Sequence, residues 1–257
     1  MLQPIVTAVE QAATAALAVY RRHLDTGCAV QTKGDGSPLT EADLLVDGML
    51  CEALATIAPD IPVVTEERAE SHDLSAPRFF LVDPVDGTKE FIRGTDEWTI
   101  NVALIEDGVP TLGVIAAPAL GRLFAADANG AWEERDGKRE PLHVRPCPPA
   151  EPACVASRSH RTPETDAILH ANGAGEIVPA GSSLKFCLVA SGEADLYPRL
   201  GPTMEWDTAA GDAILRAAGG RVRALEDEAL SVMRYGKPGW RNPHFVADNG
   251  WECRLPG

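Results

Sequence analysis

Residues 79–117 hold the tightest constraint on what this chain can fold into. Three apolar runs lie there: "FFLV" at 79–82, "WTINVALI" at 98–105 and "VPTLGVIAA" at 109–117. Each is short, apolar and rich in β-branched or aromatic residues, the pattern of buried strands. "EDG" between the last two supplies a turn, so they predict a hairpin. "RLFAAD" and "AWEE", joined by "ANG", predict another, and "IPVV" at 61–64 is a further short buried run. Two segments ahead of the strands have helical spacing instead. Ile5, Val9, Ala12, Ala13, Ala16 and Tyr20 recur this way over 4–22. Leu44, Leu45, Met49, Leu50, Ala53, Leu54 and Ile57 do so over 40–57, and Pro59 stops the pattern.

The strongest break in composition is "RPCPPAEPAC", residues 145–154, with four prolines in ten. Proline fixes φ and donates no backbone hydrogen bond, so a boundary is expected near residue 150, with subdomains at 1–150 and 151–257. Beyond it, "ACVAS", "ADLYP" and "GGRVRAL" are expected to be extended, and "TPETDAILH", "SLKFCLVAS" and "DTAAGDAILRAA" helical. The whole predicts a layered α/β fold with sheets between helices.

At 257 residues the chain is long enough to bury a sizeable core. Its net charge of −15 argues against a nucleic-acid polymer as partner, yet leaves room for a small anion in one locally cationic or metal-bearing cleft. No uninterrupted apolar run reaches 18 residues, so no transmembrane segment is expected. The N-terminal segment lacks the basic start of a secretory signal. The six cysteines (28, 51, 147, 154, 187, 253) are scattered, with no C-x-x-C pair, and are expected to be buried, reduced thiols.

Chemistry concentrates in "FFLVDPVDGTKEF", 79–91. A buried strand ending at Asp83, then a turn forced by Pro84 and Gly87, can aim Asp83, Asp86 and the Val85 carbonyl at one point. Such hard oxygen ligands suit Mg²⁺, and the N–H groups of Gly87 and Thr88 are then free for an anion. The Asp-x-Asp nucleophile loop of haloacid-dehalogenase phosphatases is one residue shorter than this spacing. Glu66 and Glu67 end another buried run and gain meaning only if that strand lies beside "FFLV". Thr40 with Asp43 forms a capping-box pattern that fully accounts for both as a helix start. Asp207 in "MEWDTAAG" is likewise a candidate N-cap. Cations and hydroxyls cluster in "SRSHRT" (157–162), "GSSLKF" (181–186) and "LYPRLGPT" (196–203).

Together, Glu-Glu, D-P-x-D-G-T and W-D-x-A-A-G, in this order, resemble the lithium-sensitive, Mg²⁺-dependent phosphomonoesterases. These include inositol monophosphatases, fructose-1,6-bisphosphatases and 3′(2′),5′-bisphosphate nucleotidases. The resemblance runs from about Lys33 onward. "DPVDGTKEF" has Lys-Glu where inositol monophosphatases typically show Thr-Asn, and "GSSLKFCLVASGEADLYPRLGPT" is similar to the bacterial bisphosphate nucleotidases. Arg199 stands where inositol monophosphatases typically have a glutamate for sugar hydroxyls; a guanidinium suits a second phosphate.

The resemblance implies an αβαβα sandwich of the inositol monophosphatase/fructose-1,6-bisphosphatase type. It implies two or three Mg²⁺ ions held by Glu66, Asp83, Asp86, Asp207 and the Val85 carbonyl, with Glu67 behind them or on a weaker third ion. Thr88 and Asp43 would orient and deprotonate the attacking water. Gly87 and Thr88 would hold the scissile phosphate. His160, Ser182, Lys185 and Arg199 would contact the nucleoside and the other phosphate, so that substrate also meets Glu66, Val85, Asp86 and Asp207. The implied reaction hydrolyses 3′-phosphoadenosine 5′-phosphate to AMP and phosphate, with 3′-phosphoadenylyl sulfate a second substrate. Alternatives are an inositol monophosphatase or broad sugar phosphatase and, in another class, a silent Mg²⁺- or nucleotide-binding regulator. A monomer or homodimer in the cytoplasm is expected, with peripheral contact to the inner membrane left open.

Overall fold

In the computed structural model, residues 1–27, 30–34, 36–147, 151–157, 161–175, 177–226 and 229–255 are described. The chain starts with α1 (Leu2–Thr26), followed by the hairpin β1 (Val30–Thr32) and β2 (Pro38–Thr40), and then α2 (Glu41–Ile57). A seven-stranded sheet follows in strict chain order. Its strands are β3 (Val63–Thr65), β4 (Arg78–Asp86), β5 (Thr99–Glu106), β6 (Val109–Ala117), β7 (Arg122–Asp127), β8 (Gly130–Arg135) and β9 (Lys138–Pro141). The short helix α3 (Thr88–Ile92) leaves the end of β4. The second half alternates: β10 (Cys154–Ser157), α4 (Pro163–Ala171), β11 (Ile177–Ala180), α5 (Leu184–Ala190), β12 (Leu196–Arg199), α6 (Ala209–Ala217), β13 (Arg221–Glu226), β14 (Ala229–Val232) and β15 (His244–Asp248). These strands form a six-stranded sheet in the order β11-β10-β12-β15-β13-β14.

The layers follow from where apolar surface can be buried. α1 and α2 cover one face of the seven-stranded sheet, through Ile5, Val9, Ala12, Val46, Leu50 and Leu54 against Phe80, Val82, Val102 and Val114. α5 and α6 form the middle layer, between the other face of that sheet and the six-stranded sheet. α4 packs on the outer side of the second sheet. The result is an αβαβα sandwich. By length and composition α1 could cross a membrane, but its apolar stripe, Ile5 through Tyr20, is packed in this core.

Two expectations change. β4 does not stop at Asp83 but continues to Asp86 across a register shift: Asp83 lies opposite Asn101, and Asp86 opposite Thr99. One extra residue is accommodated as a bulge, which also tolerates Pro84 because no regular ladder bond is needed there. Among the described cysteines none is paired, but only Cys154 and Cys187 are buried; Cys51 and Cys253 are partly exposed, and Cys147 is exposed in the proline-rich connection outside both sheets.

Close packing within the middle layer requires a small residue at position 211. A Cβ on Gly211 of α6 would stand 2.5 Å from the Phe186 ring of α5. Gly48 of α2, also helical, has nothing within 4 Å of that position. Gly211→Ala is therefore expected to destabilise the fold by about 1–3 kcal/mol in urea unfolding through overpacking. Gly48→Ala should be neutral or stabilising by up to about 1 kcal/mol. Equal midpoints for the two variants would contradict this packing.

Candidate active site

β3 runs parallel to β4, with Thr65 opposite Val82, and the Glu66 N–H donates to the Val82 carbonyl at 3.2 Å. Glu66, just past the end of β3, therefore comes level with Asp83 inside β4. In an unbroken strand, residues three apart face opposite sides of the sheet. The bulge between Asp83 and Asp86 supplies the residue that lets both carboxylates serve one side. Asp207 arrives from the other half of the chain, in a single 3-10 turn (Glu205–Asp207) just before α6. It is not the helix N-cap expected from sequence: Thr208 takes that place, and Asp207 Oδ2 instead accepts the Met204 N–H at 2.8 Å.

The electrostatics report the convergence. Burial first, then Glu66, Asp86, Asp207 and Asp43, push the Asp83 carboxyl well above its ordinary range. Burial, then Asp86 and Glu66, do the same to Asp207. Asp86 is raised to about 6 by burial, against the opposing pull of Lys185 and the Ser183 N–H. Asp83 Oδ1 is buried with no hydrogen-bond partner. A fully desolvated carboxylate oxygen without a donor is costly unless a cation meets it.

Lys33, just after β1, donates to Glu66 Oε1 and Glu67 Oε1, both at 2.6 Å. Burial lowers the Lys33 ammonium's affinity for its proton, but the two glutamates outweigh that and hold it above the usual lysine range. Burial raises Glu67 to about 7 despite its bond to Lys33. Among the described residues no three Asp, Glu, His or Cys side chains already stand at metal-ligand spacing, because Glu66 is turned to Lys33 and Asp207 to the Met204 N–H. The donor chemistry nevertheless fits a hard divalent cation: carboxylate oxygens, a backbone carbonyl and the partnerless Asp83 Oδ1.

Asp43 uses its two oxygens differently. Oδ2 accepts the Thr40 N–H and Oγ1 at 2.7 and 2.5 Å, closing the start of α2. Oδ1 lies 3.3 Å from Thr88 Oγ1, which is also 3.1 Å from the Val85 carbonyl. The helix cap and the Thr–Asp pair therefore coexist on one residue. Burial raises the Asp43 carboxyl, and the Thr40 bonds oppose the rise. Gly87, at φ 89°, makes the turn from β4 into α3; a Cβ there would stand 3.3–3.4 Å from Glu97 O, Glu90 Oε2 and Ser182 Cβ.

Glu66, Asp86, Gly87, Thr88, Ser182, Lys185, Arg199 and Asp207 all line one cleft of about 240 Å³. Asp83 and Asp43 lie beneath it, almost fully buried. Ser182 holds a left-handed φ of 45°. Lys185 is buried, donates to the Ala180 and Ser182 carbonyls at 3.3 and 2.5 Å, and is lowered to about 8 by burial. Arg199 Nη2 donates to the Pro202 carbonyl at 3.1 Å, while its buried Nε has no partner. His160 lies outside the described residues.

Sequence reasoning missed several supports. Asp47, one turn beyond Asp43 on α2, accepts from Thr65 Oγ1 and Arg68 Nε, both at 2.7 Å, and so holds the segment carrying Glu66. Its i, i+4 relation to Asp43 was the available signal. Thr99 and Asn101 of β5 bond Ser183, at 2.8 and 2.6 Å, tying the start of α5 to the first sheet. No local pattern distinguishes Lys33 or these two from surface residues.

A layered sandwich whose cleft gathers buried carboxylates beside a Thr–Asp pair is the arrangement of a metal-dependent phosphatase. The sequence model of the inositol monophosphatase family matches residues 1–251. The chain is 45% identical over 215 residues to the 3′(2′),5′-bisphosphate nucleotidase CysQ of Salmonella typhimurium, covering 83% of this chain and 86% of that protein. It is 43% identical over 218 residues to its Escherichia coli K12 namesake, covering 84% and 87%. The crystal structure of CysQ from Bacteroides thetaiotaomicron superposes with a TM-score of 0.78 at 34% identity, covering 97% of each chain. An inositol monophosphatase of Thermotoga maritima shares the fold, with a TM-score of 0.76 at 23% identity over 95% of this chain and 90% of that one. The chain belongs to the inositol monophosphatase family.

The raised carboxylates set a pH dependence. Unfolded Asp and Glu titrate near about 4, so between there and about 7 the folded chain binds more protons than the unfolded one. These groups therefore favour folding at low pH and lose that contribution as pH rises through the window. In chelator, the thermal midpoint should fall between about pH 5 and pH 8 by this contribution, and Mg²⁺ at pH 8 should recover part of it. A midpoint that rises across the window and ignores Mg²⁺ would contradict the site's electrostatics.

Proposed function

We propose that this chain hydrolyses the 3′-phosphate of 3′-phosphoadenosine 5′-phosphate to AMP and phosphate, and also accepts 3′-phosphoadenylyl sulfate. The observation that carries the reading is the partnerless, buried Asp83 Oδ1 ringed by Glu66, Asp86 and Asp207, beside the Thr88–Asp43 pair. The bisphosphate nucleotidase relatives, at 43–45% identity over most of the chain, support the substrate class.

Glu66, Asp83, Asp86, Asp207 and the Val85 carbonyl would hold two or three Mg²⁺ ions, with Glu67 behind Glu66. When bound, the ions polarise the phosphate and lower the pKa of a neighbouring water. Thr88 Oγ1 donates toward Asp43 Oδ1, which leaves its lone pair facing the water. The water's proton passes to Thr88 as the Thr88 proton passes to Asp43, the new P–O bond forms, and the bond to the 3′-oxygen breaks with its electron pair staying on that oxygen, which takes a proton from a solvent water to become the 3′-hydroxyl of AMP. The N–H groups of Gly87 and Thr88 steady the phosphate. Glu66 must give up Lys33 to serve as a ligand, which leaves Lys33 with Glu67.

Arg199 lines the cleft and supplies its guanidinium charge to the second phosphate. Ser182 meets the nucleoside side. Lys185 has two donors committed to the Ala180 and Ser182 carbonyls, so it acts by shaping that turn and placing positive charge behind Asp86. Residues 1–150 form the subdomain with most of the proposed ligands, and 151–257 the subdomain with Asp207 and the nucleotide contacts. The chain works as a cytoplasmic monomer or homodimer.

Phosphate release from the bisphosphate, against inositol 1-phosphate as competitor substrate, tests the reading. Thr88→Ala should lower kcat by roughly 10²–10⁴-fold, the usual weight of general-base assistance. An unchanged kcat removes Thr88 from the mechanism. Arg199→Glu should reduce kcat/KM on the bisphosphate more than on a nucleoside monophosphate. Equal losses on the two would remove Arg199 from second-phosphate recognition.

A further inference from the structure

We propose that His72 is a positioning residue: it fixes the separation of Glu66 and Asp207 and thereby sets the affinity of the site for its divalent ion. The inference rests on the assignment of those two carboxylates as metal ligands.

His72 follows the 3-10 turn Ala69–Ser71, in the connection between β3 and β4. Its Nε2 lies 2.9 Å from the Thr65 carbonyl. A carbonyl can only accept, so Nε2 carries the proton. The face of the same ring stacks on Trp206, with centroids 4.9 Å apart and planes 24° from parallel. Thr65 immediately precedes Glu66, and Trp206 immediately precedes Asp207. One imidazole thus touches the neighbours of two carboxylates that come from opposite halves of the chain.

The two contacts act in perpendicular directions. A hydrogen bond lies in the ring plane and restrains Thr65 along it; a stack restrains Trp206 along the ring normal. His72 is itself anchored, because its own carbonyl accepts the Trp240 Nε1–H at 2.7 Å. Trp240 in turn packs edge-on against Phe79 of β4, with centroids 5.5 Å apart. The strut therefore refers both carboxylates to the strand that carries Asp83. Such a reference has work to do here, since Glu66 and Asp207 repel each other across the site, and ligands need placing to within about 0.5 Å. A residue that only packed would fill the space under Trp206 without holding Thr65.

Three substitutions separate the parts. His72→Phe keeps the stack and removes the donor; His72→Gln keeps a donor and removes the stack; His72→Ala removes both. Mn²⁺ binding to the full chain, followed by electron paramagnetic resonance without nucleotide, is the primary readout, with urea unfolding alongside. His72→Ala should weaken Mn²⁺ binding by at least about tenfold, the usual scale for loss of a group that orients metal ligands. The other two should be intermediate. In turnover, the concentration of metal needed for half-activity should rise, while kcat at saturating metal and KM for the nucleotide stay near wild type. A purely structural role would lower the urea midpoint and leave Mn²⁺ affinity unchanged; that result, in folded His72→Phe, overturns the inference. Asp207→Asn is the control. If it loses Mn²⁺ and the His72 variants do not, the strut alone is refuted. If Asp207→Asn binds as wild type, the ligand assignment falls and the strut with it.

Discussion

The constraint on which the rest of the structure turns is the burial of like-charged carboxylates at one seam. Asp83, Asp86 and Asp207 are all pushed upward by desolvation, Asp83 and Asp207 also by Asp86, and Glu66 adds to the repulsion at all three. A loop left to itself would relieve this by moving its side chains into water. Here the segments cannot move freely. Asp83 and Asp86 belong to a buried strand paired on both sides, Glu66 is tied to Val82 by a backbone bond, and Asp207 is held by the Met204 N–H. Lys33 supplies an ammonium that bonds two of the site's acidic residues, Glu66 and Glu67. Packing elsewhere in the sandwich sustains a local arrangement that electrostatics alone would disperse.

The layers divide the labour. The seven-stranded sheet and α2 bring the Thr88–Asp43 pair, Glu66, Asp83 and Asp86 together on rigid elements. The second half of the chain delivers Asp207, Arg199 and the Gly181–Ser182 turn to the other side of the same cleft. Ser183 couples the halves through Thr99 and Asn101. Several residues serve twice. Asp43 closes a helix with one oxygen and faces Thr88 with the other, so an ordinary capping account and a chemical one describe the same side chain.

Much of this was legible in the chain. The apolar runs located the central strands, helical spacing located α1 and α2, and the order Glu-Glu, D-P-x-D-G-T, W-D-x-A-A-G identified the family. Other features were not. "FFLV" gave no sign that its strand would run on through a proline to Asp86, because bulges are set by the partner strand's pairing rather than by composition. Asp207 was a candidate N-cap of α6, yet Thr208 took that position, and Asp207 instead accepts the Met204 N–H with Oδ2 and lines the cleft. β15, which sits between β12 and β13 within the second sheet, comes from a tail with no distinctive pattern.

By itself, then, the sequence determined the central strands and the helices α1, α2, α4, α5 and α6, because side-chain periodicity and turn residues act over a few positions. It also determined which residue types gather around "DPVDGT". Only the tertiary structure decided which of them meet. The parallel pairing of β3 with β4 places Glu66 beside Asp83, and the bulge brings Asp83 and Asp86 to one side. Lys33 reaches the glutamates, and a single imidazole touches both Thr65 and Trp206, only once the layers have packed. Apart from the local bond from His72 to Thr65, those contacts join residues well over ten to more than a hundred positions apart, and no local rule of spacing specifies register or packing over such distances.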